Sequence, residues 1–304
     1  MNTPAPSRVS GSGLAFATAA YVLWGFLPIL FVSITGATAP EIVAWRIVLS
    51  LVFCAILVTV TRGWSRLIAI LRNRSAMITL TAASVFILIN WLVFIYATLA
   101  DHVVEASLGY FTNPIVTVLL GVFFLKERLR PMQWIAIGIS GIAVLVLAIG
   151  YGTFPWISLA LAFSFGLYGL VKKRVGAAVD AIGGLTVETA VLTPAAIVAL
   201  VVIAQTTGLA LGSQGVGQAV LILSLGVATA TPLLLFAAAA RRLPLVYLGL
   251  VQYLAPILML LVGVFVLHEQ MPLERWIGFG IVWVALILLT VDMVRHESRQ
   301  RLAR

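Results

Sequence analysis

Residues 114–138 read PIVTVLLGVFFLKERLRPMQWIAIG, and residues 256–280 read PILMLLVGVFVLHEQMPLERWIGFG. The two stretches align without a gap at an offset of 142 residues. The alignment pairs Pro114 with Pro256, Gly121 with Gly263, Phe123 with Phe265, Glu127 with Glu269, Trp134 with Trp276 and Gly138 with Gly280. Two unrelated apolar segments share hydrophobicity, but not an ungapped register of Pro, Gly, Glu and Trp. An offset of 144 brings Tyr21-Val22-Leu23-Trp24-Gly25 onto Phe165-Gly166-Leu167-Tyr168-Gly169. The chain is therefore read as two related halves, 1–150 and 151–304.

Working outward, the composition sets the medium. Of 304 residues, 62% are apolar and 10% charged, and the mean hydropathy is +1.15. Soluble domains carry about 25% charged residues, so this chain lacks the material for a soluble surface. Its apolar runs reach the roughly 20 residues that cross about 30 Å of hydrocarbon as helix. Pro, Gly and charge punctuation divide them into ten expected spans: 14–35, 41–60, 76–99, 103–125 and 131–149, then 154–172, 182–204, 217–240, 244–267 and 273–293. The expected fold is all-α and integral to the membrane. With five spans per half, the second copy enters from the opposite side, giving two inverted five-helix repeats of the kind found in secondary transporters.

Charge placement sets the expected orientation. Arg8, Arg62, Arg66, Arg72, Arg74, Lys126, Arg128, Arg130, Lys172, Lys173, Arg174, Arg241, Arg242, Arg295, Arg299, Arg301 and Arg304 fall on one side of these spans. Arg275 alone falls on the other side, and Arg46 lies within a span. Basic residues near span ends mark the cytoplasmic face, so both termini are expected in the cytoplasm. The net charge of +9 is then a matter of topology, and nucleic acid is not an expected partner. Within the repeat, Lys126, Arg128 and Arg130 correspond to His268, Gln270 and Pro272. The second copy has lost its positive charge where it is expected to face outward. The single cysteine, Cys54, excludes an internal disulfide and any cysteine-based metal site.

Polar residues inside spans are costly and mark pathways or pairs. Arg46 is read as an anion-binding or gating residue in a central cavity, against an arginine snorkelling to the outer interface. Glu188 is read as binding a substrate amine, pairing with Arg46 or carrying a coupling proton, against a structural glutamate. Glu105 opens a stripe with Gly109, Thr112, Asn113 and Thr117 on one helical face. That stripe is either a cavity wall or a small-residue packing seam. Asn90 and Gln252 are buried amides that need partners. Trp24, Trp91, Tyr168 and Tyr253 are aromatic candidates for stacking on a ligand, with packing or an interfacial belt as the alternative. Pro28, Pro114, Pro194, Pro232 and Pro256 lie within spans, as hinges or as static kinks.

Several stretches together carry a resemblance. Asn90-Trp91, Glu105-Ala-Ser-Leu-Gly-Tyr-Phe-Thr-Asn-Pro114, Lys126-Glu127-Arg128-Leu129, residues 156–174, Glu188, residues 237–244 and Gln252-Tyr253-Leu254-Ala255-Pro256 resemble the RarD-type permeases. These are members of the EamA group of the drug/metabolite transporter superfamily. The resemblance covers nearly the whole chain. It implies ten helices in two inverted repeats, residence in the bacterial inner membrane, and transport of small molecules, often outward.

No P-loop, dinucleotide fingerprint, His-Glu-x-x-His or Gly-x-Ser-x-Gly motif occurs, and His102, His268 and His296 do not cluster. The expectation is a non-enzyme without cofactor, metal or ATP. It would be a secondary transporter, exporter or facilitator, moving a small amphipathic metabolite or drug-like solute by alternating access, with proton or counter-substrate coupling open. The alternative is an intramembrane enzyme or lipid scramblase, for which Glu105 and Glu188 are the candidate acid–base pair.

Overall fold

The computed structural model describes residues 11–125, 131–151, 154–175, 179–240, 242 and 251–302. Arg8, Lys126 to Arg130, Arg241 and Arg304, all used in the sequence reading, lie outside the described residues. Regular structure among the described residues is helical throughout. The helices are α1 (Gly11–Ser33), α2 (Ala39–Val60), α3 (Trp64–Arg72), α4 (Arg74–Leu99), α5 (Val103–Leu125), α6 (Pro131–Tyr151), α7 (Trp156–Val175), α8 (Ala181–Thr206), α9 (Gly215–Ala240), α10 (Leu254–Leu261) and α11 (Leu273–Leu302), with a π-helical turn, Val262–Val266, after α10. Among the described residues, six helices are long and apolar enough to cross a membrane: α1, α2, α4, α8, α9 as far as Phe236, and α11 as far as Asp292. Shorter apolar segments, Trp134–Ala143, Trp156–Lys172 and Leu254–Val266, lie in α6, α7 and α10 with its π turn. The protein is a multi-pass, all-helical membrane protein.

Side-chain caps set several helix starts. The Thr38 hydroxyl accepts from the Glu41 N–H at 3.4 Å before α2, and Pro40 sits in the first turn, where its missing N–H has no intrahelical partner to lose. Asn73 caps α4 through the Ala76 N–H at 3.1 Å, and Asp180 caps α8 through the Gly183 N–H at 3.4 Å. Each oxygen satisfies one of the four orphan donors at a helix start.

The helices interleave. α2 packs along α8 and α9, α4 and α5 along α7, α1 along α9 and α10, and α6 along α11. The largest core cluster joins Phe31 of α1, Ile47 of α2, Trp91 and Phe94 of α4, Leu161 of α7, Leu192 of α8, Leu225 of α9 and Met259 of α10. Glycines allow the closest approaches. A Cβ on Gly226 would lie 2.5 Å from the Leu49 carbonyl oxygen, and one on Gly109 would lie 2.8 Å from that of Ser158. Large apolar side chains such as Val52, Ile56, Ile78, Val85, Val198, Val202 and Ile287 point outward, as a lipid-facing surface requires.

The structure departs from the sequence reading in the segment around residues 62–74, taken there only as a basic connection. It contains α3, whose Leu67 and Ile70 pack against Val58, Leu80 and Val187 while Arg66 and Arg72 stay exposed. A second departure concerns span 244–267. Its first residues, including Gly249, lie outside the described residues, and Gln252 and Tyr253 occupy a turn ahead of α10. Pro256, expected within a span as a hinge or kink, lies in the first turn of α10, where its lack of an N–H breaks no helix bond. The π turn that follows was not anticipated.

Candidate functional site

A continuous run of aromatic and polar side chains crosses the middle of the helix bundle. It starts at Arg46 of α2, which is only 4% exposed. Its guanidinium carbon lies 4.3 Å from the centre of the Trp91 ring and 5.7 Å from that of Phe31. Arg46 Nε and Nη1 are buried and have no hydrogen-bond partner. Phe31 meets Phe94 edge-on at 5.9 Å, and Phe94 meets Tyr110 at 5.6 Å. The Tyr110 hydroxyl donates to Asn90 Oδ1 at 3.0 Å. Asn90 Nδ2 in turn donates to the Leu161 carbonyl at 3.2 Å and the Ser164 hydroxyl at 3.1 Å. One buried amide thereby joins α4, α5 and α7.

From Tyr110 the run continues through Phe165, at 6.1 Å, to Tyr168, at 6.0 Å. There the Tyr168 hydroxyl donates to Glu188 Oε2 at 3.1 Å, and Lys172 Nζ donates to Glu188 Oε1 at 2.6 Å. Lys172 lies one helical turn beyond Tyr168, and its ammonium also sits 5.6 Å from the Tyr168 ring. The Glu188 side chain is 2% exposed and that of Lys172 30%. The carboxylate is thus neutralised by a lysine whose stem reaches inward from near the end of α7.

A second set of carboxylates holds one end of the bundle. Glu41 Oε1, at the start of α2, accepts from the Ala210 N–H at 2.8 Å and from Trp45 Nε1 at 3.3 Å. Glu269 accepts from the Val103 and Val104 N–H groups at 2.6 and 2.9 Å, capping α5. The Glu105 carboxylate lies beside the backbone N–H groups of Ile157 and Ser158 at the start of α7. The Ser158 hydroxyl donates to the Glu105 carbonyl at 2.7 Å, and His102 lies 3.5 Å from the Glu105 carboxylate. Gln218 accepts from the Thr35 N–H and donates to the Ser33 carbonyl, both at 3.0 Å. The Glu41–Ala210, Glu269–Val103/Val104, Ser158–Glu105 and Gln218 ties join the segment before residue 152 to the segment after it. Arg62, Arg66, Arg72, Arg74 and Arg242 lie at the other, basic end. Burial pushes the Glu269 carboxyl above the usual carboxylate range, an effect opposed by the Val104 and Val103 N–H groups and by Arg275 and His102.

The structure therefore brings together Arg46, Asn90, Trp91, Tyr168 and Glu188 among the residues singled out by sequence. The pairing of Glu188 with Arg46 does not occur, because both Glu188 oxygens are engaged by Tyr168 and Lys172. Nor do Glu105 and Glu188 form an acid–base pair. They bind α7 at Ile157–Ser158 and at Tyr168, some ten residues apart and so roughly 15 Å along the helix. Gly109 packs against the α7 backbone, as a packing seam does, and Asn113 Oδ1, facing that seam at Gly166, is buried without a partner.

Trp24 packs at a tilt against Tyr21 at 5.3 Å and Phe236 at 5.8 Å, between α1 and α9. Tyr253 stacks on Phe111 at 6.5 Å beside an apolar lateral groove of about 520 Å³ that includes Trp276, Trp283 and Phe265. Gln252 lies in the turn beside it. Pro28, Pro114, Pro194 and Pro232 lie inside α1, α5, α8 and α9. Sequence reasoning missed Tyr110 and Lys172 as site residues. The i,i+4 spacing of Tyr168 and Lys172 was an available signal, whereas nothing local marks Tyr110.

A multi-pass helical membrane protein with a buried, charged and aromatic centre belongs to a recognisable class, and comparison with known proteins assigns it. The EamA-like transporter family model matches residues 11–149 and again residues 155–291. Protein RarD of Streptomyces exfoliatus is 45% identical over 291 residues, covering 95% of this chain and 91% of that protein. Protein RarD of Escherichia coli K12 is 39% identical, covering 96% and 98%, and the uncharacterized transporter YojE of Bacillus subtilis is 39% identical, covering 95% and 97%. A solved crystal structure matches with a TM-score of 0.58 at 20% identity, over 93% of this chain and 99% of that one, a likeness of fold alone. The chain belongs to the EamA-like transporter family and is of the RarD type.

Proposed function

We propose that the protein is a secondary transporter, exporter or facilitator, that carries a small amphipathic solute across the bacterial inner membrane by alternating access. The observation that carries this reading is the run from Arg46 to Glu188. It begins on α2 and ends on α8, passing through side chains of α1, α4, α5 and α7, and it gathers Trp91, Tyr110, Asn90 and Tyr168 around the proposed substrate path. The relatives named as transporters support it.

The two halves are proposed to be inverted copies. In support, the helix pairings exchange when the halves are exchanged: α4 on α7 corresponds to α1 on α9, and α5 on α7 to α1 on α10, while α2–α8 and α6–α11 map onto themselves. In this reading the basic end, with both termini, faces the cytoplasm. The Glu41, Glu105, Glu269 and Gln218 ties seal the opposite side and part when the site opens outward. Pro28, Pro114, Pro194 and Pro232 are proposed as the flexing points of that motion. Any driving force comes from a proton or counter-substrate gradient.

Flux of a labelled metabolite panel into proteoliposomes, with and without an imposed proton gradient, tests the reading. Saturable flux that falls at least tenfold in Arg46→Ala and Glu188→Gln, with both variants folded and inserted, is the expected result. Full activity in both variants would remove the site assignment, and turnover of any compound to a new product would favour an enzyme instead.

A further inference from the structure

Arg46 is the feature of the central site whose chemistry is left open. A buried charge is costly unless it is paired, and among the described residues the other buried charge of the run, Glu188, is matched. Glu188 has Lys172 and Tyr168 on its two oxygens, so its charge is matched by the lysine and each oxygen already holds a donor. Arg46 has the faces of Trp91 and Phe31, and a ring face attracts the cation without accepting N–H bonds from its nitrogens. Nε and Nη1 have no protein acceptor, and among the described residues the run carries one uncompensated positive charge. The groups around it, Trp91, Phe31 and Tyr110, are aromatic. A planar guanidinium with free donors is matched by a carboxylate, which is planar and accepts two such bonds in parallel.

Resting on the transport reading above, we infer that the solute recognised at this site is an organic monocarboxylate with an apolar or aromatic body. Arg46 supplies the counter-charge to its carboxylate and the aromatic side chains hold its body. An amine is not required, since the one carboxylate that could receive it is already engaged by Lys172. This narrows the substrate from an amphipathic solute of either charge to an anion.

The test is a charge series on one skeleton, offered to the full-length protein in detergent and in proteoliposomes: phenylacetate, phenylacetamide, phenethylamine and phenylalanine. Phenylacetate is expected to raise the unfolding midpoint and to enter liposomes saturably, with the amide and the amine at least tenfold weaker. Arg46→Gln is expected to abolish the phenylacetate response and Arg46→Lys to keep a weakened one, since lysine retains the charge without the planar fork. The series in wild-type protein stands even if Arg46→Gln does not fold, a fault its own unfolding transition would reveal. Saturable flux of the amine or the amide, equal to or above that of phenylacetate and unchanged in Arg46→Lys, would overturn the anion assignment while leaving a transporter. No binding and no flux for any member of the series would overturn both.

Discussion

At the scale of single residues, the charges of the centre divide into a closed pair and an open one. Lys172→Met leaves Glu188 buried without its cation. Breaking a buried pair costs about 3–5 kcal/mol, and because Lys172 keeps part of its surface, the loss belongs at the lower end of that range. Thermal unfolding in detergent should show the single substitution less stable than Lys172→Met combined with Glu188→Gln, because the second change removes the stranded charge. If the double variant is the less stable of the two, the pair does not work as the geometry indicates. Asn90 is the other decisive residue. Asn90→Leu strips the Tyr110 hydroxyl of its acceptor and the Ser164 hydroxyl of a donor, and about 1–3 kcal/mol of stability should go with it. Flux should fall with it, as Tyr110 loses its fixed position.

At the scale of elements, helix ends and close seams decide the outcome. Glu269 caps α5 from a distant part of the chain, so Glu269→Ala should cost about 1 kcal/mol of stability, read by the same unfolding measurement. A pH dependence follows from its raised pKa. The folded protein holds the Glu269 proton more tightly than the unfolded chain, so this group favours folding below the ordinary carboxylate range. Its contribution is lost as pH rises through the elevated folded value. Glu269→Gln cannot titrate, so the change in unfolding midpoint between about pH 4 and pH 7 should lose that component. An unaltered pH profile in the variant would show that Glu269 does not titrate differently on folding. Gly226→Ala places a Cβ against the Leu49 carbonyl, a backbone atom that moves only with its helix. It should therefore push α2 and α9 apart and destabilise by about 1–3 kcal/mol, whereas Gly138→Ala, with nothing within 4 Å, should be neutral.

At the scale of the whole molecule, the ties of the carboxylate end are the parts expected to move. In a Cys54→Ala background, a cysteine placed at Ser107, which is fully buried in α5, should react slowly with a membrane-impermeant thiol reagent. Adding Glu41→Gln and Glu269→Gln should raise that rate several-fold in the proposed outward opening, and no increase would argue that these ties do not gate the path. The sequence alone determined the all-helical membrane character and placed most of the described helices close to their bounds, α3 and the span 244–267 excepted, because hydrophobic run length, Pro and Gly punctuation and caps are local signals. It also picked out Arg46, Asn90, Trp91, Tyr168 and Glu188, because a polar group inside an apolar span is conspicuous wherever it points. Partners are a different matter. That Glu188 takes Lys172 rather than Arg46, that Glu105 ends beside the start of α7, and that Tyr110 sits at the centre depend on which helices lie side by side. That adjacency arises from packing between segments up to 185 residues apart, where glycine seams and buried ties act across the bundle and no local pattern in the chain records them.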